Sequence, residues 1–137
     1  MIDVDLDTIK WSYGDDVYEI CKNYLQIRET LRDYTRGLMK EAHEKGSPVM
    51  RLLFYEFPKD PKCWEVEDQY MYGNKYLCCP VLFPEQRKKK VYLPKGAGWR
   101  SWHGKEAHEG GQDIEVDCPI EFMPVFVRQW KESFQTC

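Results

Sequence analysis

Long apolar runs are missing from this chain. No segment approaches the ~20 residues that a membrane-spanning helix needs, and Met1 to Thr8 carries three aspartates where a signal peptide would be apolar. Positive charge is not in excess either. Lysine and arginine number 20 against 23 aspartates and glutamates, a formal net charge of −3, so electrostatics gives no case for a nucleic-acid or membrane partner. The one basic run, Arg87 to Lys90, reads as a solvated loop or strand edge. Length is short: 137 residues make one core, whereas a complete (β/α)8 barrel takes about 250. The six cysteines, Cys21, Cys63, Cys78, Cys79, Cys118 and Cys137, include no C-x-x-C pair. Free, mostly buried thiols in a reducing, cytoplasmic setting are the default expectation. Internal repeats and low-complexity segments are absent too. What the chain does have is aromatic side chains, 15% of the sequence, well suited to a packed core.

The first periodic stretch is helical. Val17, Ile20, Cys21, Tyr24, Leu25, Leu31, Leu38, Met39 and Ala42 recur mostly at spacings of three and four. Asp16 reads as the N-cap, with Glu19 completing a capping box, and Gly46 after Lys45 reads as the residue that ends the helix. One helix from Asp16 to Lys45 would be roughly 45 Å long. After Gly46 the period changes. Val49 to Phe57 reads as a buried strand, Pro58 to Pro61 as a turn, and Cys63 to Met71 as a short helix closed by Gly73. Further strands are expected over Tyr76 to Leu82, with a bulge or edge at Pro80, and over Lys89 to Leu93, Trp99 to Trp102 and Met123 to Arg128. Ile114, Val116 and Cys118 alternate with Glu115 and Asp117, the pattern of a strand with one wet face. Gly96 to Gly98 and Gly110–Gly111 mark turns. Many short strands between glycine and proline turns predict an α+β arrangement, a long N-terminal helix followed by a mainly antiparallel β-sandwich.

Several motifs follow one another in a fixed order. Leu31, Arg32 and Tyr34 lead to Ala42, Gly46, Pro48, Val49 and Arg51; then come Leu53, Glu56, Phe57, Pro58 and Asp60; then Asp68, Gln69, Tyr70, Met71 and Gly73. Leu77 to Leu82, the set Val91, Tyr92, Leu93, Pro94, Gly96 and Trp99, and then Gly110, Gly111 and Pro124 to Arg128 complete the series. In order and spacing this resembles the retaining α-glycosidases of glycoside hydrolase family 31, over about Trp11 to Arg128. Asp33 and Leu52 stand where that family often has proline, and Cys78 and Cys79 where it has small apolar residues. The resemblance implies three parts: residues 1–46 as the last helix of a truncated (β/α)8 barrel, 47–128 as the β-sandwich that follows the barrel, and 129–137 as a tail without counterpart. It also implies that both ends are cut. The partner would be the catalytic barrel, and an α-linked glycoside would be met only through it.

The resemblance places the family's reacting aspartates on barrel strands that have no counterpart in this sequence, so no catalytic residue is expected here. Glu56, Asp60 and Asp68 read as structural carboxylates, with Arg51 paired to one such as Asp68. His103 and His108 with Cys63, Cys78 and Cys79 would make a zinc site only if folding gathered them. Their spacing, in a glycine-rich loop, reads instead as exposed histidines, and no metal or cofactor is expected. A cysteine–histidine nucleophile has no local motif. Trp99 and Trp102 are candidates to stack on a sugar ring, against the plainer reading that they fill the core. Two further readings stand beside the glycosidase: a stand-alone carbohydrate-binding β-sandwich, and a truncated product without function.

Overall fold

The computed structural model describes residues 13–129. The aspartate-rich start, Trp11 and the tail through Cys137 lie outside the described residues. The chain divides into two compact units, one ending at Ser47 and one beginning at Pro48.

In the first unit, α1 (Asp15–Thr30) and α2 (Arg32–Lys45) replace the single helix expected from the periodicity. The break is at Leu31, whose N–H is shared between the carbonyls of Ile27, at 3.2 Å, and Arg28, at 3.1 Å. Thr30 supplies the reason. Its hydroxyl donates to the same Ile27 carbonyl at 2.6 Å, a local bond that competes with the regular helix ladder. An Arg32–Glu29 ion pair at 2.6 Å spans the break. The start also differs from the capping-box expectation. Gly14 is the N-cap, with no side-chain cap, and Asp15 and Asp16 lie inside the first turn, where their charge complements the helix dipole. Gly46 ends α2 as expected, left-handed at φ 74°, its N–H bonded to the Ala42 carbonyl at 3.0 Å. Leu38 alone is buried among the described residues of these two helices.

The second unit is built from short antiparallel strands. These are β1 (Met50–Arg51), β2 (Tyr70–Tyr72), β3 (Tyr76–Cys78), β4 (Lys88–Leu93), β5 (Gly98–Ser101), β6 (Ala107–Glu109), β7 (Gln112–Asp117) and β8 (Val125–Gln129). Six form one sheet in the order β1-β2-β3-β8-β5-β6, and β4 pairs with β7 in a second. Every pairing is antiparallel. Leu77 faces Phe126 across β3 and β8, and Val91 faces Ile114 across β4 and β7. Leu53, Met71, Leu77, Val91, Leu93 and Trp99 belong to one buried cluster fed by both sheets, an open sandwich of the kind expected.

The expected strand over Val49 to Phe57 is mostly something else. It ends after Arg51, and Leu53–Glu56 form a one-turn helix, α3. The burial pattern explains the difference. Leu53 and Phe57, four residues apart, are buried, while Leu52 and Tyr55 are exposed, which is a helical period hidden in a continuously apolar run. The expected helix over Cys63 to Met71 is also corrected. Pro61–Trp64 is a 3-10 turn opened by Asp60, whose carboxylate accepts from the Lys62 N–H, and Tyr70–Tyr72 is strand. Gly73, at φ 66°, turns β2 into β3. Pro80 lies past the end of β3 at Cys78, in keeping with its missing N–H. Strand β6 had no sequence signal beyond the glycines after it. Cys63, Cys78, Cys79 and Cys118 are buried free thiols, while Cys21 is half-buried and also free. Burial raises the Cys78 thiol to about 11, slightly offset by the Tyr70 hydroxyl.

Candidate functional site

The chemistry-bearing side chains of the second unit gather around the short path from α3 through the 3-10 turn. Glu56, at the end of α3, is held from two sides. Arg51 donates to one carboxylate oxygen at 2.6 Å and Arg128, from β8, to the other at 3.3 Å. Arg51 also donates to the Pro48 carbonyl at 2.7 Å. The guanidinium of Arg128 lies 4.7 Å from the Phe57 ring centre. Arg51 is therefore paired with Glu56 and not, as the sequence suggests, with Asp68. The partner of Asp68 is Lys89, at 2.7 Å.

Lys89 was expected in a solvated basic run, and Arg87, Lys88 and Lys90 are exposed as such a run should be. Lys89 is 4% exposed. It shares the inward face of β4 with Val91 and Leu93, so the period of two that marks a strand already places it inside.

Asp60 is the most heavily engaged carboxylate. Its oxygens accept from the Tyr92 hydroxyl, the Lys95 N–H at 2.9 Å and the Lys62 N–H at 3.1 Å. Burial pushes its carboxyl up, but these bonds, together with one from Cys63, outweigh that and hold it below the ordinary value. Burial pushes the Cys63 thiol beside it up to about 12, with the Asp60 charge adding to the shift. Gln69 completes the arrangement. Its side-chain amide donates to the Tyr92 carbonyl at 2.8 Å and accepts from the Tyr92 N–H at 2.9 Å, closing a backbone-like pair between the segment before β2 and strand β4. Asp60, Asp68 and Gln69 thus join the segments leading into the larger sheet to the smaller sheet through Tyr92 and Lys89.

The two stacking candidates fall in different environments. Trp99 is fully buried, its indole N–H donating to the Pro94 carbonyl at 3.0 Å, so its face is closed to a ligand. Trp102 is half-buried and meets the Tyr76 ring edge-on at 5.4 Å. Among the tryptophans of the described residues, the one that faces solvent is Trp64, 59% exposed. One of its faces lies flat on Phe54, with centroids 4.5 Å apart and planes 10° from parallel, and its N–H donates to the Pro58 carbonyl at 3.1 Å. Nothing in the spacing of the sequence separates Trp64 from a core tryptophan. Pro58 in turn lines a cleft of about 520 Å3 together with Glu56, Phe57, Lys59, Asp60 and Lys95.

His103 and His108 line a second hollow, of about 270 Å3, with Glu106, Glu115 and Asp117. Burial lowers the His103 imidazole, partly offset by its bond to the Met123 backbone, and its ring lies 4.5 Å from that of Phe122. His108 sits 3.7 Å from Glu106. The structure does not bring these histidines to Cys63, which lies in the core beside Asp60. Among the described residues no group of three or more histidine, cysteine, aspartate or glutamate side chains is arranged to hold a metal ion.

Known proteins match this chain in sequence and in fold. The family model "Glycosyl hydrolase family 31 C-terminal domain" covers residues 46–130. A relative from Bacillus thermoamyloliquefaciens, alpha-glucosidase 2, is 34% identical over 119 residues, 87% of this chain and 15% of its own. Alpha-xylosidase A of Aspergillus niger is 32% identical over 130 residues, 85% of this chain and 18% of its own. Among solved structures, a family 31 alpha-xylosidase from a soil metagenome, complexed with xylose, superposes with a TM-score of 0.84 at 47% identity, over 87% of this chain and 18% of that one. A Flavobacterium johnsoniae dextranase superposes with a TM-score of 0.83 at 33% identity, over 86% of this chain and 14% of that one. The chain thus spans less than a fifth of the length of each of these relatives.

Proposed function

This chain belongs to glycoside hydrolase family 31, and from that membership we propose that it is the bracing β-domain of a retaining α-glycosidase and does not itself carry out the reaction. The reacting carboxylates would stand on a catalytic barrel, and α1 and α2 would be the last helical part of that barrel. The substrate class is an α-linked glucoside or xyloside, two of the specificities named among its relatives. Transfer to another sugar in place of water stays within the same chemistry, since isomaltosyltransferase of Sporosarcina globispora, 34% identical over 105 residues, is a relative too.

One observation carries this reading. A retaining glycosidase needs two carboxyl groups about 5–5.5 Å apart, one as nucleophile and one as acid and base. The family-motif carboxylates of this chain are engaged in holding the domain together: Glu56 by Arg51 and Arg128, Asp60 by Tyr92 and two backbone N–H groups, Asp68 by Lys89. A nucleophile clamped by two guanidiniums would lose those contacts on attack, and Asp60, held ionised, is a poor proton donor near neutral pH.

The test has two arms. The chain alone, assayed with aryl α-glucoside and aryl α-xyloside, is expected to release aglycone at the buffer rate. A chimera in which this chain replaces the matching segment of the Bacillus alpha-glucosidase 2 is expected to fold and hydrolyse aryl α-glucoside. Turnover by the chain alone, lost in Glu56→Gln with the fold intact, would overturn the proposal, as would a folded but inactive chimera.

A further inference from the structure

We propose that the exposed face of Trp64, with the cleft beside it, is a binding subsite for a pyranose ring of a neutral oligosaccharide. The choice of ligand rests on the sugar chemistry proposed above; the geometry is independent of it. A pyranose presents a face of C–H bonds, which an aromatic π face attracts, and a rim of hydroxyls, which need hydrogen-bonding partners. Trp64 supplies the first. Phe54 covers one face of its indole and the Pro58 carbonyl fixes its N–H, so the ring is immobilised before any ligand arrives and the ordering cost of binding is low. At 59% exposure the indole remains largely open to solvent despite those two attachments.

The cleft supplies the second requirement. Pro58 forms part of its wall, and Lys59 and Lys95 line it. Glu56 and Asp60 line it too, already engaged on their inner sides by Arg51, Arg128 and Tyr92. Its volume, about 520 Å3, falls within the roughly 300–1,000 Å3 of small-molecule sites. An aromatic platform joined by one hydrogen bond to the wall of a cleft that has charged residues in its lining distinguishes Trp64 from Trp99, which is enclosed, and from Trp102, which packs on Tyr76.

The test is a titration of the full chain, uniformly labelled with 15N, with isomaltotriose, and with sorbitol as an acyclic control. The Trp64 indole resonance is expected to shift saturably with isomaltotriose and not with sorbitol, while that of Trp99 stays in place. In Trp64→Ala, the affinity read at the backbone amides of Lys59 and Lys95 is expected to fall about tenfold or more. Trp64→Phe keeps a stacking face and should recover part of the loss. Absence of a saturable shift, or equal affinity in folded Trp64→Ala, would overturn the subsite. The chimera assay reads bracing separately. An inactive chimera with a saturable shift counts against the bracing role alone, and an active chimera without one counts against the subsite alone.

Discussion

Asp60 shows how a single side chain can define a loop. It caps the 3-10 turn, anchors Lys95 and receives the Tyr92 hydroxyl, and its carboxyl is held below its ordinary value. A carboxyl depressed in the folded state stabilises above its unfolded value, about 3.9, and that stability is lost as pH falls through the folded value. Urea midpoints of the wild type are therefore expected to drop as pH is lowered below about 4. Asp60→Asn should be less stable by about 2 kcal/mol at pH 6, with the gap closing toward pH 2.5. A gap that stays constant with pH would mean the charge of Asp60 plays no part. The sequence made this residue legible as structural, because it falls in the turn read over Pro58 to Pro61 and the family resemblance implies a structural role for it. Its partners were not legible. Tyr92 lies 32 residues away, and pairing at that distance is decided by how the sheets pack. The same limit misassigned Arg51, whose partner Glu56 sits only five residues on but across a helical turn hidden in an apolar run. Trp99 and Trp64 show it for the aromatics, since which indole is enclosed depends on neighbours that arrive from elsewhere in the chain.

At the scale of elements, strands with clear alternation, such as β4 and β7, were legible to within a residue or two. Short ones with a mixed pattern, β1, β2 and β6, were shifted or missed. They depend on their neighbours in the sheet, since two or three residues cannot state a period. The turns were easier, because glycine declares them. Gly110 is the strictest case. A Cβ there would stand 2.2 Å from the Pro94 carbonyl oxygen and 2.5 Å from that of Ala97, so the segment joining β6 to β7 lies directly against the turn that joins β4 to β5. Both obstructing atoms are backbone and cannot rotate away. Gly110→Ala is expected to lower stability by about 2–3 kcal/mol, read from the shift in urea midpoint. Gly104→Ala, whose nearest neighbour would be the Ser101 hydroxyl at 3.6 Å, should change it by less than about 0.5 kcal/mol. Equal effects at the two positions would refute the close approach.

For the whole molecule, the described surface carries large apolar side chains in the open. Met39, Met50, Leu82, Phe83 and Ile120 are each at least 58% exposed. A contiguous apolar patch marks a contact with something else, and the proposed bracing role predicts that such side chains meet a partner. The chain alone is expected to bind a dye that reports apolar surface and to melt below about 60 °C. A sharp melt above that temperature without dye binding would show a domain that needs no partner. The larger sheet carries a further consequence, one of timing. Its interior strand β8 lies between β3 and β5, yet it is the last of the described strands along the chain. On a ribosome adding about 5–20 residues per second, the pairing edge of β3 is complete several seconds before β8 is made. During that interval Leu77 has no Phe126 opposite it and Glu56 has no Arg128. The domain therefore cannot close progressively as it emerges; its largest sheet forms only once Val125–Gln129 has left the exit tunnel, and until then the nascent chain presents an open strand edge to whatever chaperone attends it.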